Sequence, residues 1–412
     1  MGHQSWIHRI RSPSLPAVLP IALQPAAGAK DLNPRDVERN RQICDQLAAT
    51  YRLWGYQEVT PPSFERLDTL EAGGAIDGRE VVRLSSDEPL GLRPELTASI
   101  ARAASTRMAQ RHRPLRLWAA GPTFRTSIGD SGRQRVSEQL QSGVELLGVA
   151  SDAADAELMR LLLAAAGGLG LQRHHRPTLL VGHHGLLTAL LNQIPSKQRS
   201  VARAALTGLD ALALQQLDVS DAEKQRLAAL MRLRGEPAQV LYQIEQWLGP
   251  LPLINGLAAS LASVAQAASR LGVTVQLDPT FQPHFALYDG LVFKLVCHGP
   301  EAPVELASGG RYDALVGRFC ADSSLAAGMG FGFNVEAIRE LLDASMDHSP
   351  TPGPLLVAYG HGNHLAQALD ALEELHQQGV AAELLSDPVA NQAAGESLAQ
   401  LRGCAGLHWV GA

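Results

Sequence analysis

The sequence predicts an α+β fold in three parts: a strand-and-helix domain, a mostly helical insertion within it, and a small C-terminal α/β unit. Three observations predict this. Strand signals gather in two separated stretches, residues 56–148 and 273–333. Between them, residues 178–272 are rich in Leu, Ala, Gln and Arg, with helical spacing such as Leu227, Leu230, Met231 and Leu233. A Ser-Pro-Thr-Pro-Gly run then closes the stretch 345–353 and reads as a linker. The boundaries that follow are 1–27 for an N-terminal extension, 28–177 with 273–345 for the main domain, 178–272 for the insertion and 354–412 for the C-terminal unit.

At the N-terminus, Arg9 and Arg11 precede a short apolar run over 15–23 that Pro16 and Pro20 interrupt. That pattern predicts a loose extension in place of a signal peptide, and no stretch approaches the ~20 apolar residues a membrane-spanning helix needs. The first helix starts after Asn33-Pro34, with Val37, Cys44, Leu47, Ala48 and Tyr51 on one face and Gly55 as its end. Residues 56–60 read as a strand running into Pro61-Pro62. Further strands are expected at 116–124 and 144–148, around a polar loop or hairpin tip at 125–138. A Leu- and Ala-rich helix follows over 153–168, then strands over 273–277, 287–296 and 329–333. In the C-terminal unit a strand (355–358) precedes a helix with Leu365, Leu369, Leu372 and Leu375 on one face. Gly379 stops that helix, and a last strand lies near 407–410.

Composition narrows the function classes. With 412 residues, 46% hydrophobic and 18% charged, the chain has ample core material, and a net charge of −6 creates no global field toward nucleic acid or membrane. Cys44, Cys297, Cys320 and Cys404 lie far apart, which supports neither a zinc site nor a disulfide framework and suits reduced thiols in cytoplasm. The histidine pairs at 174–175 and 183–184 have no carboxylate or cysteine at ligand spacing, so loop histidines are expected and no metal. No cofactor is expected.

Two clusters carry candidate chemistry. The first is Arg93-Pro94-Glu95-Leu96-Thr97, then Phe124-Arg125, then Gln141-Ser142-Gly143-Val144-Glu145. In a strand, Gln141, Gly143 and Glu145 share a face. An amide, a carboxylate and a glycine there suit a small ligand with an ammonium or imidazole group, or form a solvated strand face. The second cluster is Ser308-Gly309-Gly310-Arg311-Tyr312-Asp313 with Gly328-Met329-Gly330-Phe331-Gly332-Phe333. Its glycines permit close approach of a ligand or tight strand packing. The run lacks the strand–turn–helix context of a dinucleotide fingerprint, which favours packing.

In this order the pieces resemble histidyl-tRNA synthetase over roughly residues 28–340. Gly28-Ala29-Lys30-Asp31-Leu32-Asn33-Pro34 resembles that family's opening, and residues 55–62 resemble class II motif 1, with Pro62 at the motif proline. Arg93-Pro94-Glu95 with Thr97 resembles its amino-acid-side signature, Gly121 to Arg125 opens motif 2, and Gly309 to Asp313 matches a histidine-specific motif. Each piece is weak alone; five in order are specific. The resemblance implies a class II aminoacyl-tRNA synthetase-like antiparallel sheet with flanking helices, dimerising through motif 1. It also implies that Glu95, Thr97, Arg125, Gln141, Glu145 and Tyr288 hold the amino acid. The stretch 132–143 runs two residues longer than the family pattern, and Leu287 replaces the first tyrosine of a Tyr-Tyr pair.

The departures fall on the ATP side. Ser127 stands at the motif 2 glutamate, Pro283 at the catalytic arginine, and Asn334-Val335 where motif 3 should read Glu-Arg. Each lost cation is worth about 3 kcal/mol at the transition state, so losing two implies a rate lower by about four orders of magnitude. From 351 onward the chain has one Arg and six carboxylates, net −5, which opposes a tRNA backbone. A synthetase-like chain with these losses resembles the regulatory subunit family of ATP phosphoribosyltransferase. That implies no catalytic residues of its own, a short-form catalytic subunit as partner in a hetero-octamer of four plus four, and L-histidine as effector of the first step of histidine biosynthesis. An active histidine–tRNA ligase and a free-standing histidine sensor are the competing readings.

Overall fold

The structure, a computed structural model, describes residues 23–72, 78–128, 134–171, 173–282, 287–344 and 353–411. Most of the expected N-terminal extension, Pro283 and nearly all of the expected linker lie outside the described residues. The chain divides into two compact units, Met1–Ser345 and Met346–Ala412.

The first unit opens with α1 (Pro34–Leu53). Asn33 caps it, its side chain accepting from the Asp36 amide at 2.9 Å, and Pro34 takes the first turn, where no amide donor is needed. Gly55, at φ +81°, turns the chain into β1 (Gln57–Glu58). A small antiparallel pair, β2 (Phe64–Arg66) and β3 (Leu90–Leu92), brackets α2 (Leu67–Glu71), and α3 (Thr97–Ser105) follows. Next come β4 (Leu115–Ile128) and β5 (Gln134–Leu147), paired antiparallel along their whole length, then α4 (Asp152–Gly168).

The strand β6 (Thr178–His183) leads into α5 (His184–Leu191), α6 (Arg199–Thr207), α7 (Ala211–Gln215), α8 (Asp221–Arg232), α9 (Pro237–Leu248) and α10 (Pro252–Leu271). Then follow β7 (Thr274–Leu277), β8 (Leu291–His298), β9 (Pro303–Arg311), α11 (Asp313–Phe319), β10 (Gly328–Asn334) and α12 (Val335–Asp343). Eight strands make one sheet, in the order β1-β4-β5-β10-β9-β8-β6-β7. All internal pairs are antiparallel; the edge pairs β1–β4 and β6–β7 are parallel.

The sheet is covered on both faces, and period-two alternation decides which side chain goes where. Trp118, Val144 and Leu146 pack with α1, α4, α10 and α12. Leu117, Ala119 and Leu147 pack with α2, α3 and α11 through Leu70, Ile100, Leu315 and Val316. The insertion helices join the first of these cores through Leu206, Leu230, Ile244 and Leu261. Each such buried leucine contributes roughly 1.5–3 kcal/mol, so these helices are held by packing more than by propensity.

Three departures from the sequence-based expectations have physical causes. Residues 178–183, expected within the helical stretch, form β6, because a short apolar run such as Leu-Leu-Val has no period that separates strand from helix. No strand is expected over Pro303–Arg311, which has no clear alternation, yet β9 lies inside the sheet, where its glycines serve the tight-packing alternative. In the C-terminal unit, β11 (Leu355–Tyr359) lies between β12 (Ala382–Leu384) and β13 (Leu407–Val410), all parallel, with α13 (Leu365–Gln377) and α14 (Gln392–Leu401). There the packed stripe of α13 is Ala368, Leu372 and Leu375, while Leu365 and Leu369 are exposed. Small Ala368 is what fits against β11.

Candidate functional site

The sheet face toward α3 and α11 carries the site. Gln141, Gly143 and Glu145 alternate along β5 on that face, as the spacing predicts, opposite Asn334, Gly332 and Gly330 of β10. The glycines of β10 are required by what lies over them. A Cβ at Gly330 would overlap a Glu145 carboxylate oxygen, and one at Gly332 would overlap the Gln141 amide. Glycine thus leaves room for two polar side chains to lie flat on the sheet. Gly309 and Gly310 instead answer the tight-packing alternative, since a Cβ at either would strike backbone of the adjacent strand.

The N-terminus of α3 supplies the opposite wall. Glu95 accepts from the backbone amides of Thr97 and Ala98, the latter at 2.9 Å, so its carboxylate satisfies amides that the first helical turn leaves without partners. The Thr97 hydroxyl donates to Glu145 Oε1 at 2.7 Å, and the Tyr312 hydroxyl donates to Glu145 Oε2. Gln141 Oε1 accepts from the Leu96 amide at 3.2 Å, and Arg125 Nε donates to the Pro94 carbonyl at 3.1 Å. Tyr288 lies close enough to feel Glu145, Glu95 and Arg125. The structure therefore brings together all six residues singled out in the sequence, Glu95, Thr97, Arg125, Gln141, Glu145 and Tyr288.

Electrostatics set the character of the site. Glu145 is fully buried, and desolvation pushes its pKa up to about 8 despite the opposing hydroxyls of Tyr312 and Thr97; the charge of Glu95 adds to the rise. Burial also raises Glu95, against the stabilising amides and the charge of Arg125. Arg125 itself is shifted down by burial, and the phenols of Tyr288 and Tyr312 are shifted up. Two buried carboxyl groups stand against the Arg125 guanidinium, and an ammonium or imidazole N–H donor placed between them would favour the ionised form that burial alone opposes.

Beside this network a cavity of about 380 Å³ opens, lined by Arg125, Gln141, Lys294, Glu305, Ser308 and Asn334 among others. It is large enough for an amino acid. Lys294 pairs with Glu305 at 3.5 Å, so one of the cavity's cations already faces a carboxylate. Ser127 lies exposed near the end of β4, and Val335 is fully buried at the start of α12. The Asn334 side chain caps that helix, accepting from the Ala337 amide at 3.0 Å.

Tyr312, Lys294, Glu305 and Gln282 also belong to the site or its cavity, although sequence reasoning gave them no role. Tyr312 sits in the Gly-Gly-Arg-Tyr-Asp motif that it did single out; the other three carry no local signal. Arg93, of the first cluster, points away from the site and is spent on the carbonyls of Pro61, Pro62 and Pro122, at 2.7, 3.1 and 2.9 Å. Of the paired histidines, His174 and His175 have ring centroids 3.9 Å apart, and His183 Nδ1 caps α5 by accepting from the Gly185 amide at 3.0 Å. Burial lowers the His183 pKa to about 4, which keeps that ring neutral and able to accept.

The histidyl-tRNA synthetase family profile matches residues 28–338. A protein of Synechococcus sp. (strain RCC307), named ATP phosphoribosyltransferase regulatory subunit, is 52% identical over 95% of this chain and all of its own length. One of the same name from Prochlorococcus marinus (strain MIT 9313) is 47% identical over 95% of this chain and all of its own. Among solved structures, an ATP phosphoribosyltransferase regulatory subunit/histidyl-tRNA synthetase from Bacillus halodurans superposes with a TM-score of 0.79 at 24% identity. That alignment covers 96% of this chain and 100% of the other. Histidyl-tRNA synthetase from Nostoc sp. PCC 7120 gives a TM-score of 0.73 at 18% identity, covering 95% and 92%. These two show the fold: a class II synthetase-like mixed sheet with flanking helices.

Proposed function

Because the chain belongs to the ATP phosphoribosyltransferase regulatory subunit family, within the wider histidyl-tRNA synthetase family, we propose that it is the non-catalytic partner of a short-form ATP phosphoribosyltransferase. It activates that enzyme in the first step of L-histidine biosynthesis and makes it answer to histidine. The observation that carries the reading is the end-to-end kinship, 52% identity over 95% of the chain, C-terminal unit included.

Within this reading, histidine occupies the network of Glu95, Thr97, Arg125, Gln141, Glu145 and Tyr288. The buried carboxylates take its ammonium and imidazole N–H groups, and Arg125 takes its carboxylate. Adenylation is lost with Ser127, Pro283 and Val335. A fully buried valine cannot present a cation to a phosphate, and Lys294 already faces Glu305. The chain pairs with a second copy through residues 55–62, which include the edge strand β1, and four such chains assemble with four catalytic subunits as a hetero-octamer in the cytoplasm. For feedback, histidine must bind the inactive assembly more tightly than the active one, since equal affinity would shift nothing.

The test is to add the purified chain to a short-form catalytic subunit, measure phosphoribosyl transfer, and titrate histidine. A rise in rate on addition and a fall with histidine are expected. No rise sinks the proposal. Histidine-dependent exchange of pyrophosphate into ATP by the chain alone would establish the ligase instead.

A further inference from the structure

A second cavity, of about 370 Å³, lies between α5 and α6. Two stripes at helical spacing flank it: Arg199, Arg203 and Thr207 on α6, and His184 and Thr188 on α5 with Asn192, the residue that caps it. All but His184 line the cavity, with Ser200 and Gln282 beside them. The guanidinium groups are fixed. Arg203 donates to the Thr188 hydroxyl at 2.8 Å, and Arg199 donates to the carbonyls of Ile194 at 3.0 Å and Asn192 at 3.1 Å.

Arginines one turn apart repel unless an anion lies between them. Neither has a carboxylate within ion-pair distance among the described residues. The sequence supplies none locally: residues 158–209 hold six Lys or Arg and no Asp or Glu. Two buried nitrogens here, Nε2 of Gln282 and Nε2 of His184, have no hydrogen-bond partner. His184 lies near enough to Arg203 and to Asp289 to feel both charges, and Asp289 spends its carboxylate on the amides of Asp313 and Ala314. A region this rich in fixed donors and so poor in acceptors lacks one component, a multivalent oxyanion.

We infer that the α5–α6 cavity is a binding site for the phosphate or pyrophosphate group of a small molecule, held by Arg199 and Arg203 with the hydroxyls around them. A phosphate group suits it better than a single carboxylate, because two guanidinium forks retain N–H donors beyond those already given to Thr188, Ile194 and Asn192, and these call for several acceptor oxygens. The Thr188 and Thr207 hydroxyls already donate to backbone carbonyls. The inference does not rest on the histidine reading, although Gln282 lines both cavities.

Calorimetric titration of the full chain with inorganic pyrophosphate, in about 50 mM salt to limit screening, tests it, with citrate as the carboxylate arm. Two variants separate the site from general charge. Arg203→Gln keeps a donor for Thr188, and Thr207→Glu places a carboxylate one turn beyond Arg203 at an exposed position. Pyrophosphate should bind the native chain, and each variant should weaken binding about tenfold or more, with circular dichroism and thermal midpoint unchanged. Absence of binding to the native chain, equal binding by both folded variants, or preference for citrate overturns the assignment.

Discussion

Glu145 is buried among hydroxyls that can stabilise its charge only in part, and its pKa rises from the usual 4.5 to about 8. Its proton therefore ties stability to pH. In the unfolded chain the carboxyl ionises near 4.5; in the folded chain it holds its proton until about 8. The contribution is complete below pH 4.5, falls as pH rises through the window, and is gone above 8. For this group alone the loss is on the order of a few kcal/mol. Glu145→Gln removes the titration and keeps the shape. Urea unfolding at pH 5, 6, 7 and 8 should show the native chain losing stability relative to the variant as pH rises. Parallel profiles would place the proton elsewhere. The residue was legible in the sequence from alternation along β5. Its partner Tyr312, 167 positions away, was not, because no local pattern encodes a contact of that range.

Among elements, β9 depends on its surroundings more than on its own propensity: β8 and β10 pair with it on both sides, and its last residue is a buried arginine. Arg311 donates to Asp155 of α4, to Asp313 at the start of α11 at 3.1 Å, and to the Val149 carbonyl at 3.3 Å. Only 10% of its side chain is exposed, and 15% of that of Asp155. Arg311→Ala leaves Asp155 largely buried without its partner and should cost about 3–5 kcal/mol. The exposed pair Lys30–Glu340 should cost less than ~1 kcal/mol when broken by Lys30→Ala. Denaturant midpoints of the two variants measure the contrast; equal shifts would mean that burial does not set the worth of these pairs. This dependence also explains what sequence reading recovered. Helices such as α1 and α4 carry their own period and caps, so they were visible locally. β6 and β9 are strands because neighbouring strands pair with them, and the glycines of β9 are there to admit those neighbours.

For the whole molecule, charge distribution separates binding a small amino acid from binding a nucleic acid. The synthetase-like fold is retained end to end, yet the net charge is −6, and the segment from 351 onward carries −5 from one arginine and six carboxylates. In that segment Arg402 is paired to Glu383 at 2.9 Å, so its single Lys or Arg side chain is already engaged. Association with a polynucleotide draws its free energy from counterions released by lysines and arginines, with affinity falling steeply as salt rises. A unit whose one arginine is already paired releases few, and its carboxylates add repulsion that screening weakens only beyond about 8 Å at physiological ionic strength. In the cationic stretch 158–209, Arg199 and Arg203 line a cavity of small-molecule size. Filter binding with histidine tRNA at about 0.15 M salt should therefore show no retention above that of an unrelated acidic protein. Lowering the salt should raise any residual binding equally for all RNA sequences. Salt-resistant, sequence-selective retention would return the chain to the ligases and overturn the proposal that it is a non-catalytic subunit.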